Sequence, residues 1–247
     1  MLVRSQVKYI QTLGHKKFRD ADGVFVAEGP KIVNELLVAD NIRLVHCFAT
    51  KKWVQSNIKH LTALEDKIVK TEEKELERIS FLTTPNQVLA IFTKPAFKKR
   101  ENPPGITLLL DTIQDPGNLG TIIRTADWFG VQRIVCSMET VDLFNSKVVQ
   151  SAMGSLIRVE IIYSDLADYI SAHPDTPVYA SSLKGVDLYE QIQTSKVILL
   201  LGNESKGISP ELECLATRSL RIPCNGGAES LNVAVAAGIL LSRFQIL

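Results

Sequence analysis

Three short runs in the second half of this chain hold the residues best suited to chemistry. The first is Asp111-Thr112-Ile113-Gln114-Asp115-Pro116-Gly117-Asn118, with Arg124 six residues on. The second is Gly202-Asn203-Glu204-Ser205-Lys206-Gly207. The third is Ile222-Pro223-Cys224-Asn225-Gly226-Gly227-Ala228-Glu229-Ser230-Leu231-Asn232, which leads into a helix of small residues. Glycines let backbone approach a small ligand closely. An arginine among apolar neighbours is costly unless it meets a carboxylate, a phosphate or a cleft. A carboxylate such as Glu204 repels a triphosphate and suits a cationic or hydroxyl-bearing ligand. Plainer explanations exist for each: Asn118 as a cap on the following helix, Arg124 in an ion pair with Asp127 or Asp111, Glu204 exposed on a tight turn. Three glycine-bearing loops, each with its own asparagine, are most economically one ligand cleft. These runs contain neither Gly-x-x-x-x-Gly-Lys-Ser/Thr nor Gly-x-Gly-x-x-Gly, so a phosphate loop or a dinucleotide site is not supported.

The elements that must position these loops follow from the hydrophobic pattern. Ile106–Asp111 is an apolar run suited to a buried parallel strand. A helix from about Leu119 to Phe129 follows, then a strand at Arg133–Ser137 and a helix at Ser146–Leu156. Further strands are expected at Arg158–Tyr163, Pro177–Ser181, Val197–Gly202 and Ser219–Ile222, and a last helix at Leu231–Phe244. The expected architecture is a parallel α/β sheet with ligand loops at the strand C-terminal ends. Ahead of it, helix-like stretches at Ser5–Arg19, Lys31–Ala39, Trp53–His60 and Glu72–Ile79 alternate with strands at Gly23–Gly29, Ile42–Ala49 and Val88–Phe92, a small α/β unit. Residues 96–105, rich in proline and basic residues, read as the linker between residues 1–95 and residues 106–247.

Composition adds an asymmetry. Residues 1–103 carry 18 Lys and Arg against 12 Asp and Glu, a surplus of six; residues 104–247 carry 10 against 15, a deficit of five. A basic half joined to an acidic half fits a polyanion-docking unit beside a unit with another task. No apolar run approaches the roughly 20 residues needed to span a bilayer. The first residues lack the apolar core of a signal peptide. Four cysteines, Cys47, Cys136, Cys214 and Cys224, form no CxxC pair and have no histidine cluster nearby, which argues for packing roles in a reducing, cytoplasmic compartment and for no metal.

Taken together the three runs resemble motifs 1, 2 and 3 of the SpoU (TrmH-type) RNA methyltransferases of the SPOUT class. The matching residues are Asp115–Gly120 with Arg124; Gly202-Asn203-Glu204 with Gly207; and Ile222-Pro223 with Glu229-Ser230-Leu231-Asn232-Val233. Asn145–Gly154 is similar to the helix between motifs in that family. Lys8-Tyr9-Ile10, Leu13 and Lys16-Lys17-Phe18-Arg19, followed by Phe25-Val26-Ala27-Glu28-Gly29, resemble the L30e-like substrate-binding domain of its ribosomal-RNA members. The resemblance implies a C-terminal SPOUT domain with a parallel sheet and a trefoil knot, preceded by a small L30e-like α/β domain. It implies S-adenosyl-L-methionine as methyl donor, a ribose 2′-hydroxyl of RNA as acceptor, ribosomal RNA foremost, and a homodimer. Cofactor contacts are carried over to Ser181, Ser182, Leu201, Gly202, Asn203, Glu204, Gly207, Ile222, Pro223, Ser230, Leu231 and Asn232. Catalytic roles are carried over to Arg124, Asn118, Glu204, Ser230 and Asn232. A guanidinium rarely loses its proton, so Arg124 is expected to clamp substrate phosphate and orient the hydroxyl. A tRNA substrate, or an inactive RNA-binding relative, stand as alternatives. Cys224, where the family often has methionine, and the small residues 225–228 depart from the pattern and bear on substrate fit.

Overall fold

The computed structural model describes residues 2–97, 105–190 and 196–245. Most of the expected linker, 98–104, lies outside the described residues. The chain forms two compact units: Met1–Lys98 with Phe144–Ile157, and Lys99–Leu143 with Arg158–Leu247.

The first unit is built on a four-stranded sheet of β1 (Val24–Glu28), β2 (Leu44–Ala49), β3 (Ile68–Lys70) and β4 (Val88–Thr93), in the order β1-β4-β2-β3. β4 runs antiparallel to β1 and β2, while β3 is parallel to β2. β1 is buried along its whole length because both faces of the sheet are covered. Val24 and Val26 point into a cluster with Val7, Ile10 and Leu13 of the first helix and its end. Phe25, on the other face, meets the ring of Phe144 at 5.1 Å. The expected Ser5–Arg19 helix is two helices, Arg4–Thr12 and Lys16–Asp22, separated at Leu13–His15.

Phe144–Ile157 comes from deep inside the second half of the sequence, yet it packs as part of the first unit. Gln150 Nε2 donates to the Glu28 carbonyl at 2.9 Å, and Asn41 Nδ2 donates to the Ile157 carbonyl at 2.7 Å. Gly154 lies so close to Glu35 that a Cβ would fall 2.2 Å from the carboxyl carbon. The expected helix at Ser146–Leu156 is α-helical over Ser146–Ala152 and then tightens to a 3-10 turn at Met153–Ile157.

The second unit holds a six-stranded sheet of β5 (Gly105–Leu110), β6 (Arg133–Cys136), β7 (Glu160–Tyr163), β8 (Val178–Asp187), β9 (Lys196–Leu201) and β10 (Arg218–Arg221). The order is β10-β8-β9-β5-β6-β7 and every pair is parallel, as expected from the apolar runs. Leu109, Ile198 and Leu200 face a core shared with the helices Leu166–Ser171 and Pro210–Cys214. The helices Pro116–Trp128 and Val233–Gln245 pack against each other. Strand order reverses where β5 meets β9, and loops leaving a parallel sheet at such a point diverge to open a crevice.

β8 is longer than the expected Pro177–Ser181. Its pairing with β10 jumps from Ala180↔Ser219 to Val186↔Leu220, so Ser181–Gly185 bulges out of register. Gly185 is required there, since a Cβ would sit 2.4 Å from the Ser219 carbonyl carbon.

Candidate active site

The site is assembled at the C-terminal ends of β5 and β9, with β8 and β10 beside them. The β5 loop turns sharply at Thr112, a β-branched residue with φ of 59°, a backbone conformation costing on the order of 1 kcal/mol or more. Three hydrogen bonds hold it. Its N–H donates to Ser137 Oγ, its hydroxyl to Asp111 Oδ1, and its carbonyl accepts from Asn203 Nδ2. Asp111 is buried, and its second oxygen accepts the Ser209 N–H at 2.8 Å, tying the β5 loop to the β9 loop.

The helix after this loop begins at Pro116, three residues earlier than expected. Asp115, and not Asn118, is the cap: its carboxylate accepts the Asn118 N–H at 2.8 Å. A proline at the first helical position, preceded by aspartate, explains the early start. The Asn118 side chain is thereby freed for other work. Its Nδ2 donates to Glu204 Oε1 at 2.8 Å, and its Oδ1 accepts from Asn232 Nδ2 at 2.9 Å. Asn232 in turn caps the last helix, accepting the Ala234 N–H at 2.9 Å and the Val235 N–H at 3.3 Å. One side-chain chain thus joins all three loops.

The β9 loop is a closed ring. Asn203 and Gly207 exchange backbone hydrogen bonds, each 2.9 Å, and Asn203 Oδ1 accepts the Ser205 and Lys206 N–H groups. Gly202 packs its Cα against this ring: a Cβ would lie 2.3 Å from Gly207 C and from Ile208 N. Leu201 is buried at the end of β9.

Arg124 lies on the exposed side of the Pro116–Trp128 helix and makes no ion pair or hydrogen bond among the described residues. The ion-pair explanation is therefore set aside. Asp127 is engaged by Arg158, at 2.7 Å from Nη2, and Asp111 by Thr112 and Ser209. The arginine is expected among apolar neighbours; in the helix those neighbours turn inward and leave the guanidinium in solvent.

Beside this array lies a pocket of about 180 Å³ formed by the β8 bulge and the third loop. Ser181, Ser182, Ile222, Pro223, Ser230 and Leu231 line it, six of the residues carried over from the family motifs. Leu201, Gly202, Asn203, Glu204, Gly207 and Asn232 do not line this pocket; they form the loops just described. Leu183, Cys224, Ala228, Glu229 and Ala236, absent from the expected set, do line it. Three serine hydroxyls, a proline and aliphatic walls suit an adenosine, which offers a flat apolar face and a few polar edges. Cys224 is exposed there, and Cys214 is exposed elsewhere, so only Cys47 and Cys136 have the buried packing role expected of all four. Among the described residues no group of three His, Cys, Asp or Glu could hold a metal ion, and no helix is long and apolar enough to cross a membrane.

Known proteins resemble this chain in sequence and in fold. The model of the SpoU rRNA Methylase family matches residues 105–242, and that of the MRM3-like substrate binding domain matches residues 4–90. The chain is 34% identical to the 23S rRNA (guanosine(2553)-2′-O)-methyltransferase RlmP of Bacillus subtilis, over 97% of this chain and 96% of that protein. Its fold superposes on an AdoMet-bound rRNA methyltransferase from Sinorhizobium meliloti with a TM-score of 0.85 at 32% identity, covering 100% of this chain and 96% of the other. A TrmH-family protein from Porphyromonas gingivalis gives 0.84 at 38% identity, covering 99% and 98%. By full-length likeness in both sequence and fold, the chain belongs to the SpoU rRNA methylase family.

Proposed function

We propose that this protein transfers a methyl group from S-adenosylmethionine to a ribose 2′-hydroxyl of ribosomal RNA. The observation that carries this is the Glu204–Asn118–Asn232 hydrogen-bond chain, which locks three motif loops together beside an adenosine-sized pocket and an unpaired arginine. S-adenosylmethionine supplies a methyl group already activated on a sulfonium. Ser181, Ser182, Ile222, Pro223, Ser230 and Leu231 hold the donor; backbone of the Leu201–Gly207 loop completes its seat. Arg124 carries a guanidinium, a group that rarely loses its proton. It grips a phosphate of the substrate and orients the neighbouring hydroxyl toward the pocket, a positioning role that needs no proton from the guanidinium. Asn118 and Glu204 set the loop positions on which that geometry depends.

The first unit docks the RNA, a role supported by its substrate-binding-domain match and its basic surplus. Ribosomal RNA is favoured over tRNA by the curated relative, which acts on 23S rRNA. The protein works in the cytoplasm as a homodimer. Trp128, Tyr189, Leu231 and Val235 are large apolar side chains exposed on the second unit, surface that a second copy would cover. The second unit is threaded as a trefoil knot, an exception to ordinary chain topology.

Arg124→Ala tests the assignment. Methyl transfer to ribosomal RNA should fall about a hundredfold or more, the usual loss of one transition-state contact, with S-adenosylmethionine affinity unchanged by calorimetry. Turnover within a few-fold of wild type would show that Arg124 has no such role.

A further inference from the structure

We propose that the edge of the first unit where β1, β2 and β3 end is the docking surface for the phosphodiester backbone of the RNA. This rests on the RNA-methylation reading and names the surface it requires. Strand register puts the three ends on one edge: Glu28 pairs with Leu89, while Ala49 pairs with both Val88 and Lys70. The residues that follow are Lys31 after β1, Lys51 and Lys52 after β2, and Lys74 after β3. All four lysines are exposed, and none makes an ion pair or hydrogen bond among the described residues.

Three of them line a cavity of about 510 Å³ at this edge. At its wall is Thr71, only 3% exposed, whose hydroxyl has no hydrogen-bond partner among the described residues. Buried hydroxyls are normally satisfied, so an unpaired one on a cavity wall marks a place for a polar guest. Lys51, Lys52 and Lys74 supply positive charge to the guest, and the Thr71 hydroxyl supplies a donor for a phosphate oxygen. Glu72 and Glu73 also line the cavity. Two carboxylates oppose a free inorganic phosphate. They suit an RNA strand, whose ribose hydroxyls and base amino groups donate to carboxylates while its phosphates meet the lysines. The edge therefore reads a strand rather than an ion.

The test is binding of the full-length protein to deproteinised large-subunit ribosomal RNA across a salt series. Each lysine removed from a phosphate contact lowers the slope of log K against log salt by about one. Lys51→Gln with Lys52→Gln should lower it by about two, which costs about a hundredfold in affinity at 0.1 M salt if the 1 M intercept is kept. Thr71→Val should weaken binding with a melting temperature equal to or above that of wild type, because it removes an unpaired hydroxyl. Stabilisation by S-adenosylmethionine should be the same in all variants, which shows the fold intact. Wild-type affinity and slope in both variants would overturn the edge assignment and leave the methylation reading standing. Failure of the wild-type protein to bind this RNA would overturn the ribosomal-RNA reading itself. Inhibition by inorganic phosphate as strong as by a short RNA of equal phosphate content would show an ion site in place of a strand site.

Discussion

Replacing Gly202 with alanine should do more damage than any other glycine substitution in the three motif loops, and the structure says by how much. The new Cβ would lie 2.3 Å from Gly207 C and Ile208 N and 2.4 Å from Gly207 O, all backbone atoms. Carbon atoms in contact prefer about 3.5–4.0 Å, so the ring of residues 203–207 must move by more than about 1 Å. That shift breaks or strains the two Asn203–Gly207 hydrogen bonds, worth about 0.5–1.5 kcal/mol each, on top of about 1–3 kcal/mol for overpacking. The expected loss is about 2–6 kcal/mol. Gly207 has φ of 72° with open space around it, so alanine there should cost only the left-handed backbone penalty of about 1–2 kcal/mol. Gly226 and Gly227 have neither crowding nor positive φ, so alanine at either should stay within about 0.5 kcal/mol. Chemical denaturation of the four variants, with calorimetric titration of S-adenosylmethionine, measures the order. A Gly202→Ala protein as stable as Gly226→Ala, with normal cofactor binding, would refute the close approach on which the loop's shape depends.

Asn118→Ala should lower methyl transfer at least tenfold and stability by less than about 1 kcal/mol, because Glu204 and Asn232 lie where water can replace it; single-turnover assays and melting curves separate the two effects. Maleimide alkylation should abolish S-adenosylmethionine binding through Cys224, the donor should protect against it, and Cys224→Ser should remove the sensitivity. Cys47 and Cys136 should not react at pH 8, since burial pushes both thiols up to about 12. Burial also raises the Glu28 carboxyl, partly offset by hydrogen bonds from the Ser80 hydroxyl and the Phe81 N–H. A carboxyl raised in the folded state favours folding below its unfolded pKa of about 4.3 and loses that contribution as pH rises through the folded value. Glu28→Gln should therefore gain melting temperature relative to wild type as pH rises from 4 to 7; a constant difference across that range would contradict the burial argument.

Much of the site was legible because glycine and proline constrain backbone in ways that side-chain chemistry cannot disguise. The Gly202–Gly207 ring and the Ile222-Pro223 turn are written in the sequence itself. The helix start was legible too: Asp115-Pro116 is a cap followed by a first-turn proline, a stronger start signal than Asn118 ahead of Leu119. Arg124 illustrates a subtler point. Its apolar neighbours Ile122, Ile123 and Ala126 are buried, but Thr121, Arg124 and Trp128 recur three to four residues apart and share the outer face of the helix. β3 has no signature in the sequence, because three residues, Ile68–Lys70, are too short to show an alternation. The bulge at Ser181–Gly185 and the left-handed Thr112 depend on pairings with β10 and with Asn203 that no local pattern announces.

The placement of Phe144–Ile157 in the first unit has a consequence for how this protein can be made and remade. The polypeptide passes between the units three times, so neither is a continuous stretch of gene. During synthesis Phe144, a ring partner of Phe25, emerges from the ribosome well over a hundred residues after Phe25 itself, and until then the first unit lacks its Phe144–Ile157 segment. Recombination at the proline-rich linker would hand the first unit a foreign insert where Gln150 should meet Glu28 and Gly154 should admit Glu35. Exchanging the first unit whole therefore takes a double crossover that moves two separated segments together.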